Sequence, residues 1–156
     1  EAGCRETGDR MAAALRAEIA AVRAETGDAA RPRVLALLWD APLYAVGRQS
    51  FVSELIALAG GDNLGDRVDR PYFQASPEWV IESDPDAIFC LFHIPSEKAV
   101  ARLRATPAFA ALTAVRQGRV VGGFDVDLIL RPGPRVMRGV AQLRDGLTRN
   151  IQQEQP

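Results

Sequence analysis

Three continuous apolar runs, separated by helix-forming stretches, decide what this chain folds into. They are "VLALL" at 34–38, "DAIFCLF" at 86–92 and "RVVGGF" at 119–124. Runs of this kind read as strands buried on both faces rather than on one. Between them lie segments with apolar residues at helical spacing: "FVSELIALA" after Ser50, a short helix opened by Ser76 and Pro77, and "SEKAVARLRA". Strands that alternate with helices pair in parallel through crossover connections. The fold class is therefore expected to be α/β, a three-layer sandwich lobe with a mostly parallel central sheet. A long Ala-rich helix over about 5–26 precedes it, with Met11, Leu15, Ile19 and Val22 on one narrow stripe and Gly27-Asp28 as its stop.

Capping chemistry refines the boundaries. Ser50 is placed to cap a helix that carries Phe51, Leu55 and Leu58 on one face and ends at Gly60-Gly61. Ser76 with Pro77 at the first helical position is a preferred helix start. Val100 and Leu103 face inward in the next helix, and Thr106-Pro107 restarts a helical turn that runs to Leu112. The closing helix is "RPGPRVMRGVAQLRDGLTRNI", with Val136, Val140, Leu143 and Leu147 on one side. "APLYAVGRQ" and the aperiodic "DNLGDRVDRPYFQA" read as loops, and a loop as long as the second usually carries function.

A length of 156 residues favours a single domain with a real core. The net charge of −1, from 19 basic and 20 acidic residues, lacks the basic excess that steers nucleic acid. No apolar run approaches the roughly 18 residues of a membrane span. Cys4 and Cys90 read as free thiols, Cys90 as a small hydrophobe within the second strand. The chain opens at Glu1 without a signal peptide, which leaves its compartment open.

Ligands of open α/β sheets bind beyond the carboxyl ends of the strands. Trp39 and Asp40 follow the first run, His93 follows the second, and Phe124, Asp125 and Asp127 follow the third. Tyr44, Tyr72 and Phe73 sit in loops on that side. With only six Phe, two Trp and two Tyr in the chain, this concentration on one rim points to an aromatic-walled site. Each residue also has a plain structural use: Trp39 as core, the tyrosines as cover for the sheet end, His93 as a surface residue. Asp40, His93 and Asp125 are metal-ligating types, though their spacing does not demand a metal. In "LRPGPRVM", Arg131 is placed to pair with an anionic ligand or with Asp125 or Asp127. Arg135, set inside the last helix, favours a structural pair. There is no nucleophile elbow and no phosphate loop, and "AGGDNLG" follows a helix where a dinucleotide fingerprint needs a strand. No catalytic residue is therefore assigned.

Four segments in series carry a resemblance: "PLYAVGRQSFVSELIALAGGDN", "YFQASPEWVIESDPDAI", "TPAFAALTAVRQGRV" and "RPGPRVMRGVAQL". Over residues 34 to 147 or so, the chain resembles the C-terminal lobe of a class III periplasmic substrate-binding protein of an ABC importer. That family serves cobalamin, haem and ferric siderophores. The resemblance implies an interlobe backbone helix at 1–30, a C-terminal ligand-binding lobe at 31–150 and a frayed tail at 151–156, with the N-terminal lobe absent from this chain. It implies a solute-binding component, not an enzyme, that holds a chelate between two lobes and delivers it to a membrane permease. The Pro-Leu-aromatic loop and the aromatic before "QAS" bring cobalamin binders nearest, with haem and ferric siderophores as alternatives.

Tyr44 and Tyr72 match ligand-facing aromatics of the family, and Asp127, Leu128 and Arg131 match its third ligand-facing loop. Trp39, Asp40, Leu43, Phe73 and His93 complete the candidate ligand-binding set. Glu78 matches the acidic residue offered to permease arginines, while its plain role is to complement a helix N-terminus. The resemblance implies no intrinsic cofactor, no metal, no nucleic-acid partner, a monomer when full length, and a periplasmic or extracytoplasmic home with a lipid anchor outside this chain as one variant. The alternative from another class is a metal-dependent hydrolase or chelatase lobe using Asp40, His93 and Asp125.

Overall fold

Strands β1 (Arg33–Asp40) and β5 (Ala87–Cys90) are two of the apolar runs, and they form the centre of the sheet. They pair in parallel from Val34 opposite Ala87 to Leu37 opposite Cys90. The computed structural model describes residues 2–26, 30–131 and 133–151. Alternation splits these strands cleanly between two cores. Val34, Ala36, Phe89 and Leu91 point to one face, and Leu35, Leu37, Ile88 and Cys90 to the other. A continuous apolar run is needed because helices cover both faces. Each large side chain so buried stabilises the fold by about 1.5–3 kcal/mol.

The first face is covered by α1 (Ala2–Thr26), α2 (Phe51–Ala59), α7 (Val126–Leu130) and α8 (Val136–Ile151). The second is covered by α3 (Pro77–Ser83), α4 (Ser96–Ala105), α5 (Pro107–Ala110) and α6 (Thr113–Arg116). The three-layer α/β architecture is thus the expected one. From α1, Ile19 and Val22 reach the first core, whereas Met11 is half exposed. Ser50 caps α2 by accepting from the Val52 N–H at 3.1 Å, and Ser76 caps α3 by accepting from the Trp79 N–H at 3.2 Å.

The sheet contains strands that the sequence hides. They are β2 (Leu43–Val46), β3 (Asp62–Asn63) and β4 (Tyr72–Gln74); with β6 (Val120–Val121), the core of the expected third run, they complete the order β4-β2-β1-β5-β6, with β3 beside the start of β1. β1 pairs in parallel with β3 and β5, as β5 does with β6; the pairs β1–β2 and β2–β4 are antiparallel. "APLYAVGRQ" is therefore not simply a loop. Nor is the stretch from 62 to 75, which holds β3, a 3₁₀ turn at Leu64–Arg67 and β4. Pieces of two to four residues are too short to show a period, which is why the sequence reads as aperiodic.

Other boundaries shift for local reasons. α7 forms ahead of the closing helix, and α8 begins only at Val136, so Arg135 lies in the turn before it rather than inside it. α6 restarts after Leu112 because Asp84 caps it: Asp84 accepts from the Thr113 N–H at 3.0 Å and from Thr113 Oγ1 at 2.9 Å. Asp84 itself ends α3 in the left-handed region, at φ 36°. In α4 it is Ala99 and Leu103 that are buried, with Val100 only partly so. Gly27-Asp28, Pro132, the tail beyond Ile151 and the side chain of Cys4 lie outside the described residues.

Candidate functional site

The antiparallel corner of the sheet carries the exposed aromatics. Trp39, Tyr44 and Tyr72 are 57%, 41% and 40% exposed, which separates them from the buried core. The ladder shows why they share a face. In a strand pair, directly opposed residues project from the same side, and neighbours along a strand from opposite sides. Tyr72 stands opposite Val46, and Val46 lies two residues from Tyr44, so both tyrosines belong to one face.

Trp39 reaches that face through an irregularity. Leu37 pairs with Ala45, but Trp39 pairs with Tyr44, so two residues of β1 span one of β2. The extra residue, Leu38, is a β-bulge, and it turns Trp39 away from the face Leu37 follows. The indole is held by its own N–H, which donates to the Ala41 carbonyl at 2.9 Å. Gln74, opposite Tyr44, adds an exposed amide to the same face. Its spacing of two from Tyr72 is a signal in the sequence only once 72–74 is a strand, and three residues are too few to show that period.

A second group gathers where α7 leads into α8. A cavity of about 260 Å³ is lined by Asp127, Leu128, Arg131, Arg135 and Val136 among others. Arg131 Nε lies 3.3 Å from Asp127 Oδ1, and both side chains are largely exposed. An exposed pair of this kind holds its partners loosely, so the Arg131 guanidinium can exchange Asp127 for an incoming anion. Arg135 lines the same cavity. An adjoining cavity of about 330 Å³ lies between Met11 and Leu15 of α1 and Gly133-Pro134.

Several candidates are placed elsewhere. Leu43 is buried in the second core. Asp40 shares that face, since it pairs with Leu43, and accepts from Arg102 Nη1 of α4 at 2.7 Å. Phe73 also turns to the second core, edge-on to Trp79 with ring centres 5.2 Å apart. Phe124, expected on the rim, is core: it is 9% exposed and packs edge-on against Phe89 at 5.3 Å. His93 is exposed just beyond β5. Beneath the rim, burial and the Asp40 charge push the Cys90 thiol up to about 12, which keeps it protonated and inert.

The metal triad expected in the hydrolase alternative does not form. Among the described residues, no group of three His, Cys, Asp or Glu side chains is gathered so as to hold a metal ion, and Asp40 is committed to Arg102. Glu78 is exposed in the first turn of α3. No described helix is long and apolar enough to cross a membrane.

Comparison with known proteins agrees with this architecture. A family model described as "Periplasmic binding protein" matches residues 1–124. The Vitamin B12-binding protein of Vibrio vulnificus is 27% identical over 128 residues, which are 82% of this chain and 45% of that protein. Among solved structures, the periplasmic vitamin B12 binding protein of Vibrio cholerae superposes with a TM-score of 0.75 at 29% identity, covering 96% of this chain and 56% of that one. The apo periplasmic heme-binding protein of Roseiflexus sp. RS-1 gives 0.77 at 31% identity, covering 92% and 56%. The chain spans about half the length of the curated relatives it matches.

Proposed function

The chain belongs to the periplasmic binding protein family, and on that premise we propose that it is a solute-binding lobe for a large metal chelate, cobalamin first. The observation that carries the reading is the shared face of Trp39, Tyr44 and Tyr72, three exposed rings on a two-core lobe. Exposed aromatics on a rigid sheet suit a broad, partly apolar ring system, and Gln74 with the Arg131 loop supplies a few polar anchors. Binding of this kind needs no bond to be broken.

The wider assembly follows from the same premise. On this reading α1 (Ala2–Thr26) is the interlobe helix and the α/β unit after it the ligand-binding lobe, with a second lobe closing over the aromatic wall. Delivery is to a membrane permease in the periplasm or its extracytoplasmic equivalent, and Glu78 on α3 is the docking knob. A surface carboxylate of this kind steers a short-lived encounter.

Haem is the second reading, favoured by the likeness to the heme-binding structure. Arg131 beside its cavity would then meet a carboxylate of the ligand.

The test is a titration of 5-fluorotryptophan-labelled chain followed by 19F NMR, with cyanocobalamin, haemin and a ferric hydroxamate as probes. Trp39 stands on the wall, while Trp79 packs on the other face and serves as an internal control. Cyanocobalamin is expected to move the Trp39 signal alone, and Tyr44→Ala with Tyr72→Ala to abolish the response. A response to haemin only transfers the reading to haem; silence towards all three overturns it.

A further inference from the structure

Buried polar side chains are few and unevenly placed. Among the described residues they are Ser50, Ser53, Asn63 and Ser83. The first three gather around the end of β2, where the two tyrosine-bearing strands meet. Asn63 is the centre of that group. Its amide nitrogen has two N–H groups for three acceptors in reach: the Val46 carbonyl at 3.2 Å, and Ser53 Oγ and Asp66 Oδ1, each at 3.0 Å, which share the second hydrogen. Its amide oxygen accepts from the Gly65 N–H at 3.3 Å. Ser53 Oγ in turn donates to Asp66 Oδ1 at 2.5 Å.

Val46 is the point that matters. It pairs directly with Tyr72 and lies two residues from Tyr44 on the same face. Asn63 therefore grips the backbone between the two rings. The grip has no slack: a Cβ at Gly65 would stand 1.8 Å from the Val46 carbonyl oxygen, and one at Gly47 would stand 2.0 Å from that of Arg70. The segment that delivers β4 is fixed at its far end as well, where the Gly47 N–H donates to Pro71 O at 2.9 Å.

We propose that Asn63 is a positioning residue of the aromatic wall: through the Val46 carbonyl and Asp66 it fixes the spacing of Tyr44 and Tyr72, and with it the ring system the wall accepts. The inference rests on the reading that this wall takes the ligand. The chemistry calls for asparagine in particular. Val46 O takes one amide N–H, the other is shared between Ser53 Oγ and Asp66 Oδ1, and the Gly65 N–H takes the amide oxygen; a planar amide offers two donors and an acceptor at this spacing. Aspartate would set a second carboxylate against Asp66, and serine would not span the partners. A satisfied buried network of this kind specifies one arrangement of the strands it joins.

The test uses the 5-fluorotryptophan chain with Asn63→Asp, Ser53→Ala and, as a control, Leu147→Ala, a core truncation in α8. Each is measured at a temperature where circular dichroism shows it folded. Trp79 reports β4 through Phe73, and Trp39 reports β2 through Tyr44. Asn63→Asp and Ser53→Ala are expected to move both resonances and to weaken cyanocobalamin binding roughly tenfold, the size of loss that supporting groups cause at metal sites they orient. Leu147→Ala is expected to lower stability and leave both readouts unmoved.

Unshifted tryptophans in Asn63→Asp and Ser53→Ala overturn the proposal, as does an equal shift in Leu147→Ala. If Asn63→Asp does not fold, Ser53→Ala decides alone. If the resonances move but the unaltered chain ignores cyanocobalamin, the positioning role stands and the ligand reading fails.

Discussion

Trp39 faces Tyr44 across the β1–β2 ladder, one step out of register with the Leu37–Ala45 pair before it. Leu38 makes the difference. It is the residue without a partner, and it carries Trp39 from the side where α4 packs to the side where Tyr44 and Tyr72 are exposed. One inserted residue thus assembles a three-ring wall from strands that would otherwise divide their aromatics between two faces.

Trp39→Ala separates that wall from the fold. The indole is 57% exposed, so its loss should change stability by no more than about 0.5 kcal/mol in urea unfolding. Retention of cyanocobalamin in equilibrium dialysis should fall sharply. Unchanged retention would remove Trp39 from the site.

Asp84 holds a conformation that few residues tolerate. It sits at φ 36° and receives both hydrogen bonds from Thr113. Asp84→Ala loses those bonds and keeps the strained backbone, at a cost of about 1–3 kcal/mol. Asp84→Asn keeps an acceptor and tolerates the left-handed region, so urea midpoints should rank it between the two.

Arg33 grips Asp86 with two guanidinium nitrogens, at 3.1 Å and 2.8 Å, while its backbone N–H donates at 2.8 Å. Burial pushes the Asp86 carboxyl up, but the Arg33 hydrogen bonds and charge outweigh it and hold the group below its usual value. A folded pKa below the unfolded one, about 3.9, stabilises the protein above that pH. The contribution is lost as pH falls through the folded value. Unfolding midpoints measured from pH 6 down to pH 2 should therefore drop more steeply in the unaltered chain than in Asp86→Asn.

Cys90 is fully buried and its thiol is pushed up to about 12. In a Cys4→Ser background, thiol labelling at pH 8 should run more than about a hundredfold slower than in the unfolded chain, whose cysteine has a pKa near 8.5. Rapid labelling of folded protein would mean that the second core opens.

Glu78→Arg tests the docking knob. The residue is exposed in the first turn of α3, so reversal should cost only about 0.3–1 kcal/mol through the helix dipole. Cyanocobalamin binding should be unaffected while capture by permease-containing vesicles falls. Loss of both together would assign Glu78 to the fold.

The amino-acid order by itself determined the layers. Runs such as Val34–Leu38, too short for a helix and set between helical stripes, read as central strands, and the stripes of α2 and α8 then supply the cover. Cap chemistry at Ser50 and Ser76 was equally legible, since its partners lie two or three residues away. So was the gathering of Trp39, Tyr44 and Tyr72 at one end of the sheet.

What only the tertiary structure decided depends on partners distant in sequence. β2 and β4 are strands because they pair with each other and with β1, not because their few residues show a period. The bulge at Leu38, the burial of Leu43, the inward turn of Phe73 and the commitment of Asp40 to Arg102 follow from that pairing, while Phe124 is buried against Phe89 of β5. Asn63 shows the reason most plainly. In the sequence it is a turn residue after two glycines; in the fold its amide joins Val46, 17 residues away, to Ser53 and Asp66. A side chain's role is set by the groups within hydrogen-bond reach of it, and long-range strand pairing alone chooses those groups.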